Sequence, residues 1–119
     1  PQDIRKDHVL QVTLDASDQL AVNGTLLTTQ QLKEQIMEFI AADRTDHVIS
    51  IRTDRATTYE AYFRMQNAIV AAYNQLREKY ARERYGKGYD ELVEEQRDEV
   101  NQYYPQRISE SKPSTGGAS

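Results

Sequence analysis

Few side chains in this sequence have the type and spacing that chemistry needs. The only histidines, His8 and His47, stand at the starts of separate strands. A metal site shared between them would need two or more carboxylate ligands supplied by the fold. Both are therefore expected to be structural or solvent-exposed, with no metal and no cofactor bound. The serines lack a nucleophile elbow or a neighbouring base motif, which argues against acyl transfer. Gly24, Gly86 and Gly88 do not form a phosphate-cradling loop. Asp15 and Asp18 read as turn residues, because their spacing fails the calcium-loop pattern. Asp54 and Tyr59 differ, since they flank a strand-to-helix junction. The aspartate there can cap backbone amides and the tyrosine can pack beneath. No catalytic signature emerges, so the expected function is binding or assembly rather than enzyme catalysis.

The junction belongs to one stretch, His47 to Ile69. Ile49 and Ile51 alternate with Val48, Ser50 and Arg52, which predicts a strand with one apolar face. The polar run from Thr53 to Thr58 follows, and a helix opens at Tyr59. Thr57 with Glu60 three residues on reads as a capping box, in which hydroxyl and carboxylate satisfy each other's backbone N–H groups. Strand-to-helix turns in α/β proteins commonly present groups to a partner.

Composition sets the bounds on size and partner. The 119 residues suit one domain with a modest core. Charged residues make up 29% and the eight tyrosines must supply much of the bulk, each needing a partner for its hydroxyl when buried. A net charge of −4 argues against nucleic acid or an anionic membrane surface as partner. With no cysteine there is no disulfide framework. No apolar run approaches the roughly 18 residues of a membrane span. The chain opens on Pro1 without a methionine, and the expectation is an excised fragment whose residues 1–7 are a linker from a missing transmembrane helix.

The spacing predicts an α+β domain over residues 8–111. Leu10, Val12 and Leu14 share a face in a first strand. Asp15 to Asp18 supplies turn chemistry, and Gln19 to Val22 gives a second strand, the two forming an antiparallel hairpin. Asn23-Gly24 ends it, both residues tolerating positive φ. Thr28 with Gln31 caps a helix whose stripe is Leu32, Ile36, Phe39 and Ile40. The passage from Leu20 to Ile51 is long enough for a parallel crossover. The expected order is β-β-α-β-α-α-β, a two-layer fold with a small mixed sheet and the helices on one face.

The second helix carries Tyr62, Met65, Ile69, Ala72, Tyr73, Leu76 and Tyr80 at helical spacing. Its last turns are basic, and Gly86-Lys87-Gly88 breaks it. Tyr89 to Tyr104 is acidic and reads as a third helix with Leu92, Val93, Gln96, Val100 and Tyr103 on one side. Residues 77–104 therefore predict a charged helical hairpin, its exposed ion pairs setting orientation more than stability. Pro105 stops it, and QRISES from Gln106 reads as a last edge strand with Ile108 inward. Residues 112–119 have the composition of a disordered tail.

These features together resemble the periplasmic domain of the ExbD/TolR family. The resemblance rests on LAVNGTLLTTQQL (Leu20–Leu32), then HVISIRTDRATTY (His47–Tyr59), then a helix. Asn23, Gly24, Thr28, Thr29, Leu32, Arg52, Asp54 and Tyr59 occupy the places of the family pattern. It covers residues 8 to about 76, with QRISES supplying the last strand. The resemblance implies a homodimerising module anchored in the inner membrane within an ExbB-type membrane pentamer. Such a proton-driven motor engages a TonB-type protein to energise outer-membrane transport. Arg52, Asp54 and Tyr59 would then be a signature of the junction, and Arg107, Ile108 and Ser109 the strand edge that takes a partner segment. The TolR-like alternative is a stator domain that binds peptidoglycan.

The sequence departs from the family pattern in two places. Thr58 and Glu60 flank Tyr59 where proline and glycine are frequent. The hairpin over 77–104 is an insertion, expected to add an interface and to be removable without unfolding the domain. A third class, a small enzyme or ligand domain of similar topology, would need a pocket with converging polar groups.

Overall fold

Alternation of apolar and polar residues builds the first strand, β1 (Val9–Leu14), and buries Leu10, Val12 and Leu14 on one side. The computed structural model describes residues 8–111, so the lead-in read over 1–7 and the tail read over 112–119 lie outside the described residues. β2 (Leu20–Val22) pairs antiparallel with β1. A further strand, β3 (Thr25–Leu26), pairs antiparallel with β2. The sequence reading ended the hairpin at Asn23-Gly24, whereas these residues turn the chain into β3. Both have positive φ, 50° and 89°, as the two-residue turns that match strand twist require. Two paired residues are too short to show an alternation, which is why β3 was not legible.

α1 (Thr29–Ala42) begins at Thr28, whose hydroxyl accepts from Gln31 N–H while the Gln31 side chain accepts from Thr28 N–H, the expected capping box. Leu32, Ile36 and Ile40 are fully buried, and Phe39 packs at the margin. β4 (Val48–Thr53) then pairs parallel with β1, Ile49 opposite Leu10 and Ile51 opposite Val12. The crossover onto β4 therefore starts from β3, because β2 runs antiparallel to β1 and hence to β4. α2 (Tyr59–Tyr85) crosses the same face as α1 and contributes Met65, Ile69, Ala72, Tyr73 and Leu76 to the core. β5 (Ile108–Glu110) completes the sheet parallel to β4, Ile108 opposite Ile49. Among the described residues the sheet order is β3-β2-β1-β4-β5, a mixed five-stranded sheet with helices on one face. Each large aliphatic side chain in this core contributes about 1.5–3 kcal/mol by leaving water.

The second half of α2 runs past the sheet and makes its own small core. Ala81, Leu92 and Val100 are buried there, flanked by Tyr80, Tyr85 and Tyr89. Gly86 ends α2 in the left-handed region at φ 73°, where a side chain would be strained. The return segment is not the continuous helix read from sequence. Tyr89–Glu91 is a single 3₁₀ turn, Leu92 and Val93 are extended, and α3 spans Glu94–Tyr103. The extended pair sends neighbouring side chains opposite ways, so Leu92 is buried and Val93 is exposed.

Charge does not zip this hairpin. Among the described residues one ion pair joins α2 to α3, Arg84 with Glu99 at 3.3 Å. Arg82–Glu78 and Lys79–Glu83 pair within α2 instead, because residues four apart on a helix lie side by side. The hairpin is tied to the core at the other end of α3. Arg44, in the loop after α1, donates to Tyr103 O at 2.7 Å and lies over the Tyr103 ring at 3.7 Å. Arg77 of α2 donates twice to Tyr104 O, at 3.0 and 2.8 Å. Two guanidinium groups thus satisfy carbonyls at the negative end of α3. Tyr103 stacks on Tyr80, ring centroids 3.9 Å apart.

The two cores should respond separately to truncation. Leu92→Ala is expected to cost the hairpin about 2–5 kcal/mol of local stability. Hydrogen exchange read by mass spectrometry should speed up over 89–104, with 9–14 and 48–53 unchanged.

Candidate partner-binding edge and strand-to-helix junction

The carboxyl ends of the parallel strands β1 and β4 lie side by side, and the junction is assembled there. Asp54 N–H donates to Leu14 O at 3.0 Å, which locks the end of β4 to the end of β1. The Thr57 hydroxyl accepts from Asp54 N–H at 3.0 Å and directs its proton at Leu14 O and Asp15 O, 3.2 and 3.0 Å away. Thr57 is therefore a clasp between strand ends and not the helix cap expected of it. The cap is Thr58, whose hydroxyl accepts from Ala61 N–H at 3.1 Å. Glu60 sits in the first turn and pairs with Arg64 rather than closing a box.

Asp18 orders this cap from across the sheet. It takes the left-handed backbone region at φ 63°, which an aspartate tolerates better than most residues. Its carboxylate accepts from Thr58 N–H and from the Thr58 hydroxyl, both at 2.8 Å. Those two hydrogen bonds hold the Asp18 carboxyl below its ordinary range. Asp15 shapes the same loop, accepting from Ser17 N–H and Gln19 N–H. Sequence reasoning placed both aspartates in a turn, but their sequence distance from Thr58 hid the longer reach of Asp18.

The three residues expected to mark the junction, Arg52, Asp54 and Tyr59, do not converge on one point. Arg52 lies exposed on the sheet face opposite the helices, level with Thr13. Asp54 accepts from Ala56 N–H at 2.8 Å, so its carboxylate closes a local turn and caps no helix. Tyr59 does not pack beneath the junction: it is 76% exposed and stacks on Phe63, itself 51% exposed. A groove of about 330 Å³ opens between Asp54, Thr58, Tyr59, Tyr62 and Glu110. Asn23 and Gly24 are remote from it, at the opposite sheet edge. Asn23 is doubly bonded to β1 there: its N–H donates to Gln11 O and its side chain accepts from Gln11 N–H.

β5 forms the other margin of the groove and one edge of the sheet. Ile49 N–H donates to Arg107 O at 2.9 Å, and Ser111 N–H donates to Ile51 O at 3.0 Å. In a parallel ladder this alternation turns the backbone of Arg107, Ser109 and Ser111 toward β4. The outward N–H and C=O groups belong to Ile108 and Glu110. Of the three residues expected at the edge, only Ile108 offers its backbone outward. The Glu110 carboxylate accepts from the Tyr62 hydroxyl at 2.8 Å and from the Gln66 amide at 3.4 Å. Burial, followed by this carboxylate, raises the Tyr62 hydroxyl above its ordinary pKa.

Beneath the start of β5 lies a buried polar node that the sequence did not announce. His47 and Tyr73 are both fully buried. His47 Nδ1 faces Asp43 O at 3.0 Å and Arg44 O at 2.9 Å. Carbonyls only accept, so Nδ1 carries the proton and Nε2 accepts from the Tyr73 hydroxyl at 2.6 Å. The Tyr73 oxygen accepts from Arg107 N–H at 3.1 Å, and Arg107 Nε donates to His47 O at 2.8 Å. The other histidine, His8, contacts the Asp43 carboxylate. No cluster of His, Asp or Glu suited to a metal ion occurs among the described residues.

No family model matches the chain, and no curated protein is significantly similar to it. No helix among the described residues is long and apolar enough to cross a membrane.

Loss of the Thr58 hydroxyl in Thr58→Ala should destabilise the domain by about 1 kcal/mol in denaturant titration. Asp18→Asn should lower the melting temperature at neutral pH. Because the folded Asp18 carboxyl is more acidic than its unfolded value of 3.8, its contribution is complete above that value and lost as pH falls through the folded one. The melting difference between wild type and Asp18→Asn should accordingly shrink in acid.

Proposed function

We propose that this chain is the periplasmic module of an ExbD-type motor subunit, a non-enzymatic domain that homodimerises and receives a TonB-type protein. The observation that carries this reading is the outer edge of β5. Ile108 and Glu110 present N–H and C=O groups there with no strand beside them among the described residues. An extended segment can add to such an edge through main-chain hydrogen bonds, while pockets along it choose among side chains. The groove with Tyr59, Tyr62 and Glu110 lies where alternate side chains of an added strand would reach. The order strand, Asn-Gly turn, capped helix, strand ending at Arg52-x-Asp54, Tyr59-started helix and short last strand also supports the reading. Proton translocation would then take place in a membrane helix bound to an ExbB-type pentamer, and this module would convert its movement into capture and release.

The test is a nuclear magnetic resonance titration with a synthetic periplasmic linker peptide of a TonB-type protein. Amide shifts should concentrate at Ile108 and Glu110. Glu110→Pro removes an outward N–H without touching the bonds to β4, as edge strands allow, and should weaken binding at least about tenfold. A peptide that leaves these amides unmoved, with the domain retained instead on peptidoglycan sacculi, would replace this reading by the TolR-like one.

A further inference from the structure

The His47 node joins three parts of the fold with no hydrogen-bonding group left over. It takes carbonyls from the loop after α1, a hydroxyl from α2 and, through that hydroxyl, the first N–H leading into β5. We propose that His47 is an acid-sensitive latch on β5: uptake of a solvent proton at Nε2 releases the start of this strand from the sheet. Only the neutral imidazole with its proton on Nδ1 satisfies every partner. Once Nε2 carries a proton it must donate to the Tyr73 oxygen, and the phenol hydrogen has to turn away. The carbonyls of Asp43 and Arg44 face Nδ1, on the side of the ring away from the phenol, and the Tyr73 oxygen meets a donor, Arg107 N–H, on its other side, so that hydrogen finds no acceptor among these groups.

Burial opposes the protonated form first, and of the charged side chains Arg107 opposes it while the Asp43 carboxylate favours it. Arg107, on the β5 side, donates to His47 O. Arg77 lies 6.0 Å from the Tyr73 ring on α2. Arg44 belongs to the loop after α1 and is turned toward Tyr103. Among the described residues the carboxylate facing the node is that of Asp43, engaged by His8 of the β1 side, and Phe39 of α1 presents its ring edge. Burial, with Arg107 adding to it, holds the imidazole below its ordinary 6.5 against the opposing pull of the Asp43 and Arg44 carbonyls. A lowered folded value means that the contribution of His47 is complete above 6.5 and lost as pH falls below it toward the folded value.

β5 is the element that yields. It has three residues, only Ile108 among them is half-buried, and its entrance is bonded to the node through Arg107 N–H and Nε. Its far end keeps the Glu110 bonds to Tyr62 and Gln66. Opening from the Arg107 end uncovers Ile49 N–H, whose acceptor is Arg107 O. Acid would then expose a fresh β4 edge beside the groove, a consequence that rests on the strand-addition reading above.

The latch is tested on the free domain by residue-resolved amide exchange, expressed as protection factors. Between about pH 7.5 and about pH 5.0, protection of Ile49 N–H, which donates to Arg107 O, should fall at least about tenfold while α1 amides hold. His47→Gln should abolish this pH dependence. If that variant does not fold, Tyr73→Phe keeps the ring but removes the hydroxyl, and β5 protection should then be low already at neutral pH. An unchanged protection in acid, a fall equal across the whole sheet, or the same fall retained without His47 overturns the latch. No peptide enters the measurement, so its failure leaves strand addition standing, and a failed peptide titration leaves the latch standing.

Discussion

A buried imidazole can stay in an apolar core only if both ring nitrogens find partners, and that constraint organises this domain. His47 meets it with carbonyls from Asp43 and Arg44 on one side and the Tyr73 hydroxyl on the other. The consequence is geometric. The loop after α1 must fold back to present its carbonyls, α2 must arrive with Tyr73 in register, and the chain entering β5 must pass the phenol oxygen. Arg44, one of the residues whose carbonyl is used, is thereby placed to reach Tyr103. The same node that fixes the sheet edge thus fixes where the helical hairpin docks.

The hairpin shows how a chain with few aliphatic residues extends a fold. Three buried side chains, Ala81, Leu92 and Val100, make a core too small to stand alone. Stacked tyrosines and guanidinium groups on helix-end carbonyls supply the rest. Burial lowers the Arg77 guanidinium from its ordinary pKa, and its two bonds to Tyr104 O offset part of the desolvation. At the opposite end of α2, the junction is set by short polar side chains. Thr57 clasps two strand ends, and Asp18 holds Thr58 in its capping position. The long helix is therefore pinned at its start by hydroxyls and carboxylates and along its second half by arginines.

Much of this was legible in the sequence where local physics decides. Strict alternation placed Leu10, Val12, Leu14, Ile49 and Ile51 inward, and the structure buries all five. Thr28 with Gln31 made the capping box its spacing promised. Asn23-Gly24 made the turn, although the two-residue strand beyond it carried no periodic signal. The Thr57 cap was displaced by one residue because Leu14 O competes for the same hydroxyl, and β1 is 43 residues away in sequence. Acid facing base suggested a charge-paired hairpin, yet Glu78 and Glu83 pair within α2, and among the described residues Arg84–Glu99 is the one ion pair between the helices.

By itself the sequence determined the α+β class, the inward faces of β1, α1 and β4, and the breaks at Asn23-Gly24 and Gly86. Period, cap and turn chemistry act over a few residues and need no tertiary context. Only the tertiary structure decided that Tyr59 stacks on Phe63 at the surface instead of packing beneath the junction, and that Ile108 and Glu110 turn their backbone groups away from β4. It alone brought His47, Tyr73 and Arg107 into one buried node. The node depends on which carbonyl and which hydroxyl lie beside the imidazole, relations between segments 26 or more residues apart that no local spacing encodes.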